Sequence, residues 1–208
     1  MTRKLLFLCG ICSPLVYVFM TVIGAEMRPG YSHVYHAVSE LLEAGAPNKF
    51  ILDILLAISN LFSVLFAIGV LQLVRESPHH HQIGIIAAYL LIAAGVLGLT
   101  ITLFFPMEPR HLTMTFTGLM HLVLVGVLSI LGIVTIFLFS IWFKKQADYI
   151  RYDTYSFITA IIMIITGVIA ATTAITESPL MGLAERITIA VHLQWTFFIA
   201  LKMYRNSR

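Results

Sequence analysis

Apolar and polar positions along this chain are sorted into long blocks. Stretches free of Asp, Glu, Lys and Arg cover residues 5–25, 54–74, 83–107, 112–143, 154–176 and 187–201. Five of them reach about 20 residues, enough for a helix rising ~1.5 Å per residue to cross a ~30 Å hydrocarbon layer. The sixth is shorter, and its helix is expected to begin earlier, near Gly182. The pattern predicts an all-α bundle of six transmembrane helices in one integral membrane domain, residues 1–208. The expected spans are near 5–25, 50–74, 83–106, 113–143, 154–176 and 183–203. Turn residues punctuate the connections, in RPG, GAPN, ESP, FPMEPR and TESPLMG. Asn48 is placed to cap the second span, and Pro179 and Gly182 to set off the sixth.

The longest connection, PGYSHVYHAVSELLEAGAP, has a finer pattern. His33, His36, Glu40 and Glu43 recur at helical spacing, opposite Val34, Val38, Leu41 and Leu42. With Ser32 as a cap and Gly45-Ala46-Pro47 as a stop, this predicts a helix of about 13 residues lying in the interface plane. It is too short to span and is expected to cover the outer mouth of the bundle. Its polar face reads either as a solvated surface or as part of a site, with Glu40 reaching inward.

Composition agrees with the blocks: 59% of residues are hydrophobic and 11% charged, against about 25% charged in a soluble domain. The first window has a basic start, Arg3 and Lys4. Its apolar stretch exceeds a cleavable signal core and ends in the poor cleavage site Ile23-Gly24-Ala25, so it reads as a retained span. With the N-terminus cytoplasmic, nine of the lysines and arginines fall inside and four outside (Arg28, Lys49, Arg110, Arg186), which predicts both termini in the cytoplasm. The net charge of +3 then reflects anchoring. No basic stripe with interleaved aromatics suggests nucleic-acid binding. Cys9 and Cys12 form a C-x-x-C inside an apolar helix, without a second pair, and read as packing residues. The His79–His81 run reads as a solvated loop, and Tyr31, Trp142, Trp195 and Tyr204 as span-end anchors or core.

Ionisable groups are distributed unevenly. Seven of ten acids fall on the expected outer side: Glu26, Glu40, Glu43, Asp53, Glu108, Glu177 and Glu185. Asp53 opens the second span, with Asn60 seven residues on. His121 lies in the fourth, and Glu185, Thr188 and His192 form a stripe on the sixth. At ~1.5 Å per residue, Asn60, His121 and His192 lie roughly 12–15 Å below the outer helix starts. Such groups normally face the bundle and pair there, which predicts an outward-opening polar cavity. Each has a plainer reading: a helix contact for His121 or His192, a dipole-favoured interfacial position for Asp53, a lipid-phosphate anchor for Arg186.

RPGY followed by VSELLEAGAPN, FFPMEP followed by TGLMH, and GLAERI together resemble the prokaryotic membrane family catalogued as domain of unknown function 998. The resemblance runs from about Leu5 to Tyr204. It implies six helices and no established activity. Its pattern maps onto Ser39 and Glu40, onto His121, and onto Glu185 and Arg186. Where the family has aspartate after Phe-Pro-x, this chain has Glu108, and His33 and His36 fall outside the pattern.

Three functions fit these residues. The first is binding of a lipid or other amphiphile in the cavity, with Ser39, Asp53, Asn60, Arg186 and His192 meeting it and membrane lipids as partners. The second is a membrane-embedded hydrolase of lipid-like substrates. Its zinc would take His121, His192 and Glu185, with Glu40, Glu108, His121 and Glu185 as catalytic candidates. No H-x-x-x-H or H-E-x-x-H on one helix requires a metal, and a Ser39 nucleophile with His36 or His121 as base lacks an elbow context. A small transporter ranks third, since the ionisable groups keep to one side and no internal repeat is evident.

Overall fold

The computed structural model describes residues 2–77, 82–109 and 113–207. Six helices account for most of it: α1 (Arg3–Glu26), α2 (Lys49–Glu76), α3 (Gln82–Phe104), α4 (Phe116–Phe143), α5 (Tyr152–Ile175) and α6 (Met181–Asn206). All six are long and apolar enough to cross a membrane, and no strand occurs among the described residues. Boundaries follow local chemistry. Helix α4 begins at Phe116, after 113–115, because the Thr115 hydroxyl accepts the Thr117 N–H at 3.1 Å. Asn48 does precede α2, but it holds a left-handed φ of 60° and its side chain makes no capping bond. The His79–His81 run lies outside the described residues.

Close backbone pairings join α1 to α2, α2 to α3, α3 to α4, α4 to α5, α5 to α6, and α6 back to α1. The helices therefore form a closed ring. Both termini sit at one end, called here the terminal end, where Arg3 pairs with Glu76 and the Lys4 ammonium lies 5.1 Å from the Tyr204 ring centre. Residues 27–48 lie at the opposite, loop end, where the Ala44 N–H reaches the Met107 carbonyl at 3.0 Å.

An aromatic mass fills the terminal half. Phe139, Trp142, Phe143, Tyr149 and Trp195 are buried together. Phe143 stacks on Tyr149 with ring centres 5.0 Å apart, and the Trp195 indole N–H donates to Ser156 Oγ at 2.9 Å. Trp142 lies against Gly84, where a Cβ would come within 2.5 Å of the indole. Both tryptophans are thus core rather than interfacial anchors. Helix α5 shares this asymmetry: its buried residues are Ser156, Thr159, Ala160 and Met163, all in its first half.

The expected 13-residue helix over 32–44 does not form. A turn at Ser32–His36, with the His36 N–H on the Ser32 carbonyl at 2.9 Å, leads into a single 3-10 turn, Ser39–Leu42. The reason is competition for backbone groups. In a helix the Val34 carbonyl would accept the Val38 N–H. Here that carbonyl accepts Leu183 N–H at 3.0 Å, and the Val38 N–H donates to Glu185 Oε2 at 2.7 Å. The His33 and His36 carbonyls accept from Arg186 at 2.9 and 2.7 Å. Helix α6 thus takes over the bonds that a local helix would use. Gly182 permits the approach, since a Cβ there would lie 2.3 Å from the His36 carbonyl oxygen. Val38, Leu41 and Leu42 still point inward onto Met20 and Leu52, while Val34 is exposed.

Candidate functional site

The ring encloses a pocket of about 280 Å3 in its loop-end half, reaching down to Phe66 and Met163. Its walls come from all six helices and from Val38, Ser39 and Leu42 of the overlying loop. Most of the lining is apolar. Six of the nine residues singled out from the sequence line it: Ser39, Asp53, Asn60, His121, Glu185 and His192.

Four of the six, Asp53, Asn60, His121 and Glu185, make a direct polar contact of their own. Asp53 pairs with Lys49, one turn earlier on α2, at 2.5 Å. Asn60 Nδ2 donates to the Thr102 hydroxyl at 3.1 Å, and its Oδ1 packs where a Cβ on Gly98 would come within 2.7 Å. Asn60 therefore joins α2 to α3 while facing the pocket. His121 Nδ1 lies 2.7 Å from the Phe105 carbonyl. A carbonyl only accepts, so Nδ1 carries a proton, and in the neutral ring this leaves Nε2 as the acceptor. His192 rests against Gly132, and its buried Nδ1 has no hydrogen-bond partner among the described residues. Glu185 and Ser39 sit at the junction of pocket and loop.

The other three lie elsewhere. Glu40 is buried, but its carboxylate turns back to accept the Ala37 N–H at 3.2 Å, and it does not line the pocket. Glu108 accepts the Thr115 hydroxyl at 2.5 Å and the Thr115 N–H at 3.1 Å, closing the start of α4. These bonds hold its carboxyl below the usual carboxylate range. Arg186 clamps the loop: it donates to the His33, His36 and Gly182 carbonyls and to the Tyr31 hydroxyl. Burial pushes the Tyr31 phenol up to about 12, against the lowering pull of the guanidinium. As a neutral phenol it donates to the Ala37 carbonyl at 2.7 Å. A second clamp comes from Arg28, which pairs with Glu43 at 2.5 Å and donates to the Glu40 carbonyl.

Sequence reasoning missed a hydroxyl cluster on the pocket wall. Ser13 Oγ lies 2.8 Å from Ser63 Oγ and 3.3 Å from Ser59 Oγ, and the Ser59 hydroxyl donates to the Ser13 carbonyl at 3.0 Å. The signal was present: Ser59 and Ser63 are one turn apart in an apolar span, and Ser13 precedes the helix-interior Pro14. Tyr17, Thr196 and Thr188 also line the pocket.

His121, His192 and Glu185 border one space, but among the described residues no three His, Cys, Asp or Glu side chains gather as a metal site requires. The donor set does not fit zinc. Cys9 and Cys12 are free thiols.

The structure defines a multi-pass, all-helical protein of membrane type, six helices closed into a ring. The chain belongs to the family described as Protein of unknown function (DUF998), whose model matches residues 11–202. No curated protein and no solved structure matches the chain.

Proposed function

We propose that the protein binds a lipid or other amphiphile in the central pocket. One observation supports this above all: an apolar space, enclosed by helices of membrane-spanning length, is lined by polar side chains from α2, α4 and α6. Ligand pockets are typically lined this way, with a few polar groups fixing orientation and volumes of roughly 300–1,000 Å3. Apolar walls take the hydrocarbon, and Asn60, His121 and His192 offer hydrogen bonds to a polar group. The loop end faces out of the cell and both termini face the cytoplasm, in keeping with the distribution of lysine and arginine. A metal-dependent hydrolase draws no support from the donor geometry.

The test is native mass spectrometry of the detergent-purified full chain, beside Ala94→Phe, which drives a ring into the pocket. One retained amphiphile per chain, lost in the variant while the protein stays monodisperse, is the expected result. No retained amphiphile, or retention unchanged by Ala94→Phe, overturns the reading.

A further inference from the structure

A second hollow, about 500 Å3, lies along the seam between α1 and α6. Its outer walls are Val18 and Val22 on one side and Ala190, Phe197 and Phe198 on the other. Val18, Val22, Ala190 and Phe198 are exposed, so this groove faces the surrounding hydrocarbon when the helices span a bilayer. Tyr17, Val38, Ile189 and Leu193 line both this groove and the central pocket. The two spaces are therefore separated by one layer of side chains. Three of those come from helices, and the fourth, Val38, comes from the loop and is held by Glu185 through its backbone N–H.

A cation stands on the groove side of this partition. Arg186 and His33 stand at the loop-end rim of the groove. Every hydrogen bond of the Arg186 guanidinium goes to a neutral oxygen, three carbonyls and a phenol. No carboxylate forms a direct ion pair with it among the described residues, and its buried Nε has no partner among them. The acids Asp53 and Glu185 stand on the pocket side. An anionic head is attracted to the rim, while a hydrocarbon tail is favoured in both spaces.

We infer that the α1–α6 groove is a second binding site, which takes a single-chain anionic amphiphile of the long-chain carboxylate type from the bilayer. The head is met first at the Arg186 rim, and the hydrocarbon chain then passes Tyr17 into the central pocket. This inference rests on the amphiphile-binding reading above and adds to it the route and the head-group charge.

The test uses the full chain in phosphatidylcholine vesicles with a sixteen-carbon fatty acid carrying a diazirine near its tail, and follows labelled peptides over time. Ala190 lines the groove but not the pocket, and Ala190→Trp fills the groove. It is expected to slow labelling of pocket residues about tenfold while leaving the end-point labelling intact. Tyr17→Ala is expected to speed it severalfold. Gly126→Trp, on a part of α4 where a Cβ meets nothing within 4 Å, is expected to change nothing. Unchanged rates in Ala190→Trp, or slowing by Gly126→Trp instead, overturn the route and leave pocket binding standing. Equal labelling by the corresponding alcohol overturns the anionic head. Absence of pocket labelling in the wild type at any time overturns the route together with the binding reading.

Discussion

The two ends of the ring solve the same problem in opposite ways. At the terminal end, large rings fill the space between helices; the Trp195 indole donates to Ser156, while the Trp142 indole nitrogen is held by packing alone, with no hydrogen-bond partner among the described residues. At the loop end the interior is left open, and 27–48 is drawn over it by charged side chains acting on backbone: Arg186 and Arg28 on carbonyls, Glu185 on an amide. Dispersion over many contacts gives the first end stiffness, since each ring touches several neighbours. A handful of directional bonds gives the second a cover that can be released locally. The difference teaches where packing and open space reside: the aromatic half holds the ring, and the covered half encloses the pocket.

That contrast is sharpest in Trp195→Ala, expected to cost about 3–5 kcal/mol as a large-to-small core change. It should lower the melting temperature of the whole bundle in detergent; an unchanged melt would deny the aromatic end its structural role. Gly182→Ala comes next, at about 1–3 kcal/mol. The new Cβ meets backbone at His36, so the strain falls on the loop. Limited proteolysis should open within 27–48 while the melting temperature is nearly kept, and a global loss of stability would erase the distinction between the two ends. Glu185→Gln, at about 1 kcal/mol, replaces a charged acceptor by a neutral one. Hydrogen exchange at the Val38 amide should rise, with no change around Phe139.

The smallest effect concerns pH. The Glu108 carboxyl is held low by Thr115, so its contribution is present above the unfolded value of ~4.3 and is lost as pH falls through the lower folded value. Exchange at the Thr115 and Thr117 amides should therefore increase only on strong acidification, with the aromatic end unaffected. Release already near neutral pH would show that Glu108 does not hold the start of α4.

The spans were legible because hydropathy over 20 residues is a summed signal that no single contact overrides; predicted and observed limits differ by a few residues, as at Phe116. Asn60, His121 and His192 were also legible, because depth follows from counting along a helix and polar groups turn inward in hydrocarbon. The loop was not. Its local spacing is that of an amphipathic helix, but its hydrogen bonds are decided by Glu185 and Arg186, and the Val38 contact joins residues 147 positions apart. Glu40 and Glu108 carried charge in a suggestive place, yet each is engaged by nearby backbone, a use that residue type and spacing alone do not separate from lining a site. Gly182 looked like punctuation before the sixth span, whereas its missing side chain is what admits the loop.

The partnership between 27–48 and α6 also sets an order of assembly. The connection leaves the ribosome directly after the first span, but every α6 bond that shapes it belongs to residues made after the other four spans. Until the final helix inserts, Val34 and Val38 lack the partners they have in the finished ring, and α1 lacks its second neighbour. Maturation of this chain is thus completed from its last segment backward, and a synthesis arrested before Met181 leaves the ring unclosed and its cover unformed.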